Sequence, residues 1–188
     1  RDYGPNWRQQ RSRARSRDIY RCQNCGVPEG KHQHHVHHRI PFRTFGSYLE
    51  ANHLSNLVTL CPRCHRRAEQ VVRMRTGLSG LAFALGHLAS LFLMCDTRDL
   101  GVHADHKSPL AEGRPALVIY DQFPAGMGFS QGLYELHDEL MASAYQLVSA
   151  CECADGCPSC VGPGGEDGAG GKREALVLLK ILSENSNL

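Results

Sequence analysis

The 188-residue sequence contains no apolar run approaching the roughly 20 residues that a membrane span requires, so no membrane partner is expected. It has no charged-then-apolar leader and opens on Arg1 rather than Met. Both features are expected of a cytoplasmic chain, bacterial or archaeal, and of a piece of a longer one. It has no internal repeat, which excludes a repeat array. It also lacks a phosphate loop: Gly170-Gly171-Lys172-Arg173 is missing the upstream glycine and has Arg where Ser or Thr would hold magnesium, so ATP hydrolysis cannot be assigned to it. Finally, it lacks the scattered half-cystines of a secreted disulfide framework. Eight of its nine cysteines fall into tight groups, Cys22/Cys25, Cys61/Cys64 and Cys151/Cys153/Cys157/Cys160. Thiolates two or three residues apart on a turn converge on one metal ion. Cys95, inside an apolar stretch, is expected to serve packing.

Charge of one sign is also scarce in each half. Residues 1–80 carry 15 Lys/Arg against 5 Asp/Glu, and residues 81–188 carry 6 against 14. The basic half attracts a polyanion through counterion release, whereas the acidic half does not. Two domains follow, with the boundary expected at residues 1–76 and 77–188. Arg11, Arg13, Arg15 and Arg17, on a short helix leading into the first CxxC, and Arg39, Arg43, Arg66 and Arg67 are candidate DNA-phosphate contacts. The plainer alternative for such a charge run is a solvated face.

The local pattern predicts a short strand over residues 36–41, a loop with a helical turn over 42–56 and a strand over 57–60. A helix over 65–75 is then stopped by Gly77. Beyond it come a buried helix over 78–95, a β-like run over 116–120, a helical stretch over 132–150, a glycine-rich loop over 162–171 and a closing helix over 174–182.

Cys22-x-x-Cys25 and Cys61-x-x-Cys64 have the layout of two knuckles closing on one tetrahedral zinc. Four thiolates leave no open position, so such a zinc holds the fold and catalysis must come from elsewhere. Between and beside the knuckles lie His37-His38-x-Ile40-Pro41, Asn56-Leu57 and His65. Together with Asp18-x-Tyr20-x-Cys22-x-x-Cys25-Gly26, this pattern over residues 7–70 resembles the HNH endonuclease family, a ββα-metal nuclease fold. The resemblance implies that His38 is the general base and that His37 and His65 hold a catalytic divalent cation. That cation would be Mg²⁺ or Mn²⁺, with Zn²⁺ or Ni²⁺ as alternatives. It also implies that Asn56 pins the backbone around the base and that the products carry 5′-phosphate and 3′-hydroxyl ends. Strand alternation puts His37 and His38 on opposite faces, a tension for any shared site. Glu69, one helical turn after His65, is a third candidate ligand, although a solvent-facing glutamate is the more ordinary reading. His32, His34, His35 and His53 are surplus.

Cys151-x-Cys153-x-x-x-Cys157-Pro158-x-Cys160 packs four thiols into ten residues, with glycine and proline supplying the turns for a second structural zinc. Together with residues 81–99 and Ile119-Tyr120-Asp121-Gln122-Phe123-Pro124-Ala125-Gly126-Met127-Gly128, it resembles the zinc-binding C-terminal domain of MrfA-like helicases over residues 78–188. Ala125 stands where a glycine is usual in that family. The resemblance implies a helicase motor in the same full-length chain or complex. The expected fold class is α+β: a ββα-metal domain with zinc knuckles followed by a small mixed α/β zinc domain. Three readings stay open: a metal-dependent DNA endonuclease used in repair or phage defence, a noncatalytic zinc module that binds DNA or protein, and the tail of a helicase.

Overall fold

A computed structural model describes residues 2–123, 126–163 and 171–185. Pro124 and Ala125 of the 119–128 motif, and residues 164–170 of the glycine-rich loop, lie outside the described residues. The chain divides into two compact units, one running to residue 72 and the other starting at residue 73.

In the first unit, helix α1 (Trp7–Arg17) precedes strand β1 (His35–His38), the four-residue helix α2 (Tyr48–Ala51) and strand β2 (Leu57–Leu60). The two strands pair antiparallel, with His35 opposite Leu60 and His38 opposite Leu57. Along β1 exposure alternates: His35 is exposed, Val36 buried, His37 half-buried and His38 buried. Val36 joins Ala14 and Leu57 in a small core against which Trp7 and Leu54 pack. A second small cluster consists of Val58 and Leu60 with the knuckle cysteines. So little apolar burial needs help from elsewhere.

Part of that help is polar. Asp18 is buried and accepts from the Thr59 N–H at 2.9 Å and from Arg17 Nε at 2.8 Å, while the Arg17 guanidinium donates to the carbonyls of Leu54 and Leu57. Burial opposes ionisation of Asp18, but the hydrogen bonds from Arg17 and Thr59 outweigh it and hold the carboxyl below its ordinary range. Arg15 forms a two-pronged pair with Glu29 at 2.8 and 2.6 Å, and Glu29 also accepts from the His34 N–H. These contacts tie α1 to the rest of the unit through Arg15 and Arg17, two of the arginines expected to meet DNA phosphates.

Helix α3 (Pro62–Leu93) is one continuous helix of 32 residues, opened by proline at a position where its missing N–H costs nothing. Gly77 therefore does not stop it. A Cβ at Gly77 would lie 3.0 Å from Leu178, at Gly80 3.1 Å from Val161, and at Gly86 3.0 Å from Val102. The glycines of α3 are approach points for neighbouring elements, and that packing overrides their weak helix propensity. An 18-residue window of α3 reaches a mean hydropathy of 1.5, long and apolar enough by composition to cross a membrane. This corrects the expectation that no such segment exists. Half of the window is buried within the structure, as in a core helix.

The second unit continues with β3 (Leu100–Ser108), which the sequence pattern did not reveal, paired antiparallel with β4 (Arg114–Asp121). Gly101 faces Tyr120 across the pair and is covered by its ring, where a Cβ would clash. Helices α4 (Phe129–Glu135), α5 (His137–Ala150) and α6 (Lys172–Asn185) follow, with the expected single helix over 132–150 broken at Leu136. Leu81, Ala84, Leu85 and Ala89 of α3 meet Leu140, Met141, Ala144 and Val148 of α5 and Leu179 of α6 in one core, and Cys95 packs against it. Asp121 accepts from the N–H groups of Met127, Gly128 and Ser130, so the motif around it shapes the entry to α4.

Candidate metal centres

The first knuckle is a tight loop closed by Gly26 N–H to the Cys22 carbonyl and Cys22 N–H to the Val27 carbonyl, with Gly26 at φ +73°. The second sits where β2 gives way to α3. Cys22, Cys25, Cys61 and Cys64 converge with every Sγ within 4.8 Å of the others, and Cys25 and Cys61 lie 3.8 Å apart. A tetrahedral zinc with Zn–S bonds of about 2.3 Å sets its sulfurs about 3.8 Å apart, so the four thiols fit that ion. Asn24 Nδ2 donates to Cys64 Sγ at 3.2 Å. Such a donor beside the sulfurs suits bound thiolate. Burial disfavours the Cys22 thiolate, yet backbone groups of Cys61, Asn24 and Cys25 overcome this and bring Cys22 down to about 6. The Val27 backbone favours the Cys25 thiolate, but Cys22, burial and the other two thiols push Cys25 up to about 11. Zinc loading must therefore release protons and weaken as pH falls.

The other four thiols meet the same test. Cys151 lies 3.5 Å from Cys153 and 3.6 Å from Cys157, and Cys160 lies 3.5 Å from Cys153 and 3.7 Å from Cys157. Lys172, at the start of α6, donates to the carbonyls of Cys151 and Cys153. The lysine rejected as a phosphate ligand thus clamps the metal loop, placing positive charge beside what would be a doubly negative thiolate site.

A third cluster faces away from the small core of the first unit. His37 projects from β1, and His65 and Glu69 stand one turn apart on α3. One ligand atom from each lies within 4.8 Å of the others. Glu69 Oε1 is 3.5 Å from His37 Nδ1 and 3.8 Å from His65 Nε2, so Glu69 turns towards the imidazoles and does not stand free in solvent. Two nitrogens and a carboxylate on one side of an ion suit a divalent cation and leave positions for water and phosphate. Burial is the largest influence on His37 and His65 and lowers both below 6.5. Neutral imidazole is the form that binds a metal. His35, two residues before His37 and so on its side of the strand, brings its ring to 4.8 Å from that of His65. Sequence reasoning had set it aside as surplus, and its period-two spacing from His37 was the overlooked signal.

His38 faces the other way, as alternation requires. Its ring stacks on Trp7 at 5.0 Å and touches Tyr3 and Phe42, and its Nε2 lies 2.9 Å from Asn52 Oδ1. Burial lowers its pKa too, against the opposing Asn52 hydrogen bond. Asn56 spends its amide on the backbone: Oδ1 accepts from the Ile40 N–H, and Nδ2 donates to the carbonyls of Ile40 and Ala51. It thereby fixes the chain leaving β1. Replacing it, Asn56→Ala, leaves those backbone groups unpaired and is expected to cost about 2–3 kcal/mol in thermal melting of the zinc-loaded protein. An unchanged midpoint would remove that role. Arg13, Arg39, Arg43, Arg66 and Arg67 are exposed, and Arg11 donates to Gln33 at 3.3 Å on the surface.

Two strands, the start of α3 and a four-cysteine knuckle pair form the ββα-metal arrangement, and residues 22–70 match the HNH endonuclease family model. Residues 81–161 match the MrfA Zn-binding domain. The chain carries an HNH-family domain followed by an MrfA-type zinc-binding domain. Over 106 residues it is 34% identical to the ATP-dependent helicase YprA of Bacillus subtilis, covering 56% of this chain and 14% of the helicase. It is 29% identical over 76 residues to a protein of Methanocaldococcus jannaschii, covering 39% of this chain and 68% of that one. A crystal structure of the DUF1998 helicase MrfA bound to DNA superposes with a TM-score of 0.54 at 32% identity, over 59% of this chain and 15% of the helicase. The chain thus spans about a seventh of the helicases it matches.

Proposed function

We propose that the HNH domain, taken as residues 1–76, is a metal-dependent DNA endonuclease that hydrolyses phosphodiester bonds. The MrfA-type domain, taken as residues 77–188, attaches it to a helicase motor in a cytoplasmic repair or defence system. The observation that carries this reading is the convergence of His37, His65 and Glu69 on one point of a ββα frame whose surface is rich in arginine. A divalent cation bound there, Mg²⁺ or Mn²⁺, would stabilise charge on the phosphate and on the leaving 3′ oxygen. His38 is the general base that takes a proton from the attacking water, and burial favours its neutral form. Asn56 holds the backbone around it. Arg39, Arg43, Arg66 and Arg67, with Arg11 and Arg13, neutralise the DNA backbone. The helicase link rests on the match of residues 81–161 to the MrfA Zn-binding domain and on the chain's likeness to helicases.

The test is nicking of supercoiled plasmid by zinc-loaded protein with added Mg²⁺ or Mn²⁺, beside His38→Ala. Wild type is expected to nick and the variant to be slower by roughly 100-fold or more. Equal rates, or no nicking by either, would favour a noncatalytic DNA-binding zinc module.

A further inference from the structure

Only a ring nitrogen without its hydrogen can take a proton from water, so a histidine base needs its tautomer chosen for it. In this chain the choice can be read from the neighbours. His38 Nε2 lies 2.9 Å from Asn52 Oδ1. Asn52 is fully buried, and its Nδ2 donates to the Tyr3 carbonyl at 2.7 Å and to Asn6 Oδ1 at 2.7 Å. A backbone carbonyl can only accept, which fixes the nitrogen end of the amide and turns its oxygen towards His38. An amide oxygen cannot donate, so Nε2 must carry the hydrogen and Nδ1 must be bare. Among the described residues no hydrogen bond is made to Nδ1, and the residue as a whole is 8% exposed. Trp7, stacked at 5.0 Å and 20°, and Phe42, edge-on at 5.7 Å, restrict the ring to this pose.

We propose that Asn52 is the positioning residue of the reaction, holding His38 as its Nε2–H tautomer with the bare Nδ1 presented to the attacking water. The role rests on the reading of His38 as general base. In the step it serves, water gives one proton to Nδ1 as its oxygen bonds to phosphorus. The bond from phosphorus to the 3′ oxygen breaks, and that oxygen takes a proton from solvent. The Nε2 hydrogen stays in place throughout, and Asn52 Oδ1 stabilises the imidazolium that forms. Because Asn52 is held by Tyr3 and Asn6, the segment before α1 completes the site although it carries no catalytic group.

The first measurement needs no variant. Long-range ¹H–¹⁵N correlation spectra of the zinc-loaded wild type at pH 7.5, with the His38 signals assigned by their loss in His38→Gln, should show Nε2 protonated and Nδ1 bare. Asn52→Leu, which keeps bulk but cannot accept, should let the tautomers mix. It should slow single-turnover plasmid cleavage roughly 10- to 100-fold with unchanged DNA affinity. A His38 protonated at Nδ1 in a wild type that cleaves would overturn the Asn52 role alone. Absence of cleavage in every sample, wild type included, would remove the base and this role with it.

Discussion

Stripping zinc with a chelator is expected to unfold residues 2–72 while the core of the second unit persists. The first unit buries only two small apolar clusters, and one of them is built from the knuckle cysteines themselves. Structural zinc contributes an apparent 10–16 kcal/mol in comparable small domains, as much as or more than the roughly 5–15 kcal/mol that stabilises an ordinary one. Without it, four packed thiols remain where an ion should be. The second unit has a core drawn from α3, α5 and α6, so loss of its zinc should loosen the 151–160 loop before it melts the helices. Cys61→Ser should lower bound zinc from two ions to one per chain and direct limited proteolysis to residues 2–72. If those residues stay protease-resistant after both ions are removed, zinc is not what holds the unit together.

The second large effect falls on the proposed catalytic cation. His65→Ala removes one of three ligand groups and should weaken Mn²⁺ binding and slow cleavage by roughly 100-fold, with partial recovery at higher Mn²⁺. Glu69→Gln should act in the same direction, because Glu69 faces both imidazoles. Protons compete with the cation for His37 and His65. Burial holds both below the ordinary histidine range, so Mn²⁺ affinity should stay level near neutral pH and fall as the solution becomes acidic. Titration calorimetry of zinc-loaded protein across pH reads this directly. Mn²⁺ affinity unchanged in both variants would dismiss the cluster as a cation site.

The features legible in the sequence are those whose chemistry is local. Two CxxC pairs, a His37-His38 step and a Cys64-His65 step announce themselves by spacing, and Asn56 by its place before β2. Asn52 was not legible, because its meaning depends on Tyr3 and Asn6, more than forty residues away in the chain. Arg15 and Arg17 looked like free cations because nothing adjacent to Arg15 reveals Glu29 and nothing near Arg17 reveals the Leu54 and Leu57 carbonyls. Gly77 read as a helix stop because local propensity says so. Leu178 and Glu174, pressed against it from α6, make it part of a helix interior instead. Strand β3 escaped notice because its pattern is weak alone and is fixed by pairing with β4.

The four residues of β1 work like a two-column ledger, with Val36 and the proposed base His38 in one column and His35 and the proposed cation ligand His37 in the other. A slip of one residue against β2 would exchange the columns, sending His38 towards His65 and His37 onto Trp7. A single residue gained or lost within 35–38 should abolish both the cation cluster and the Asn52 contact together, even in a protein that still folds and still binds zinc.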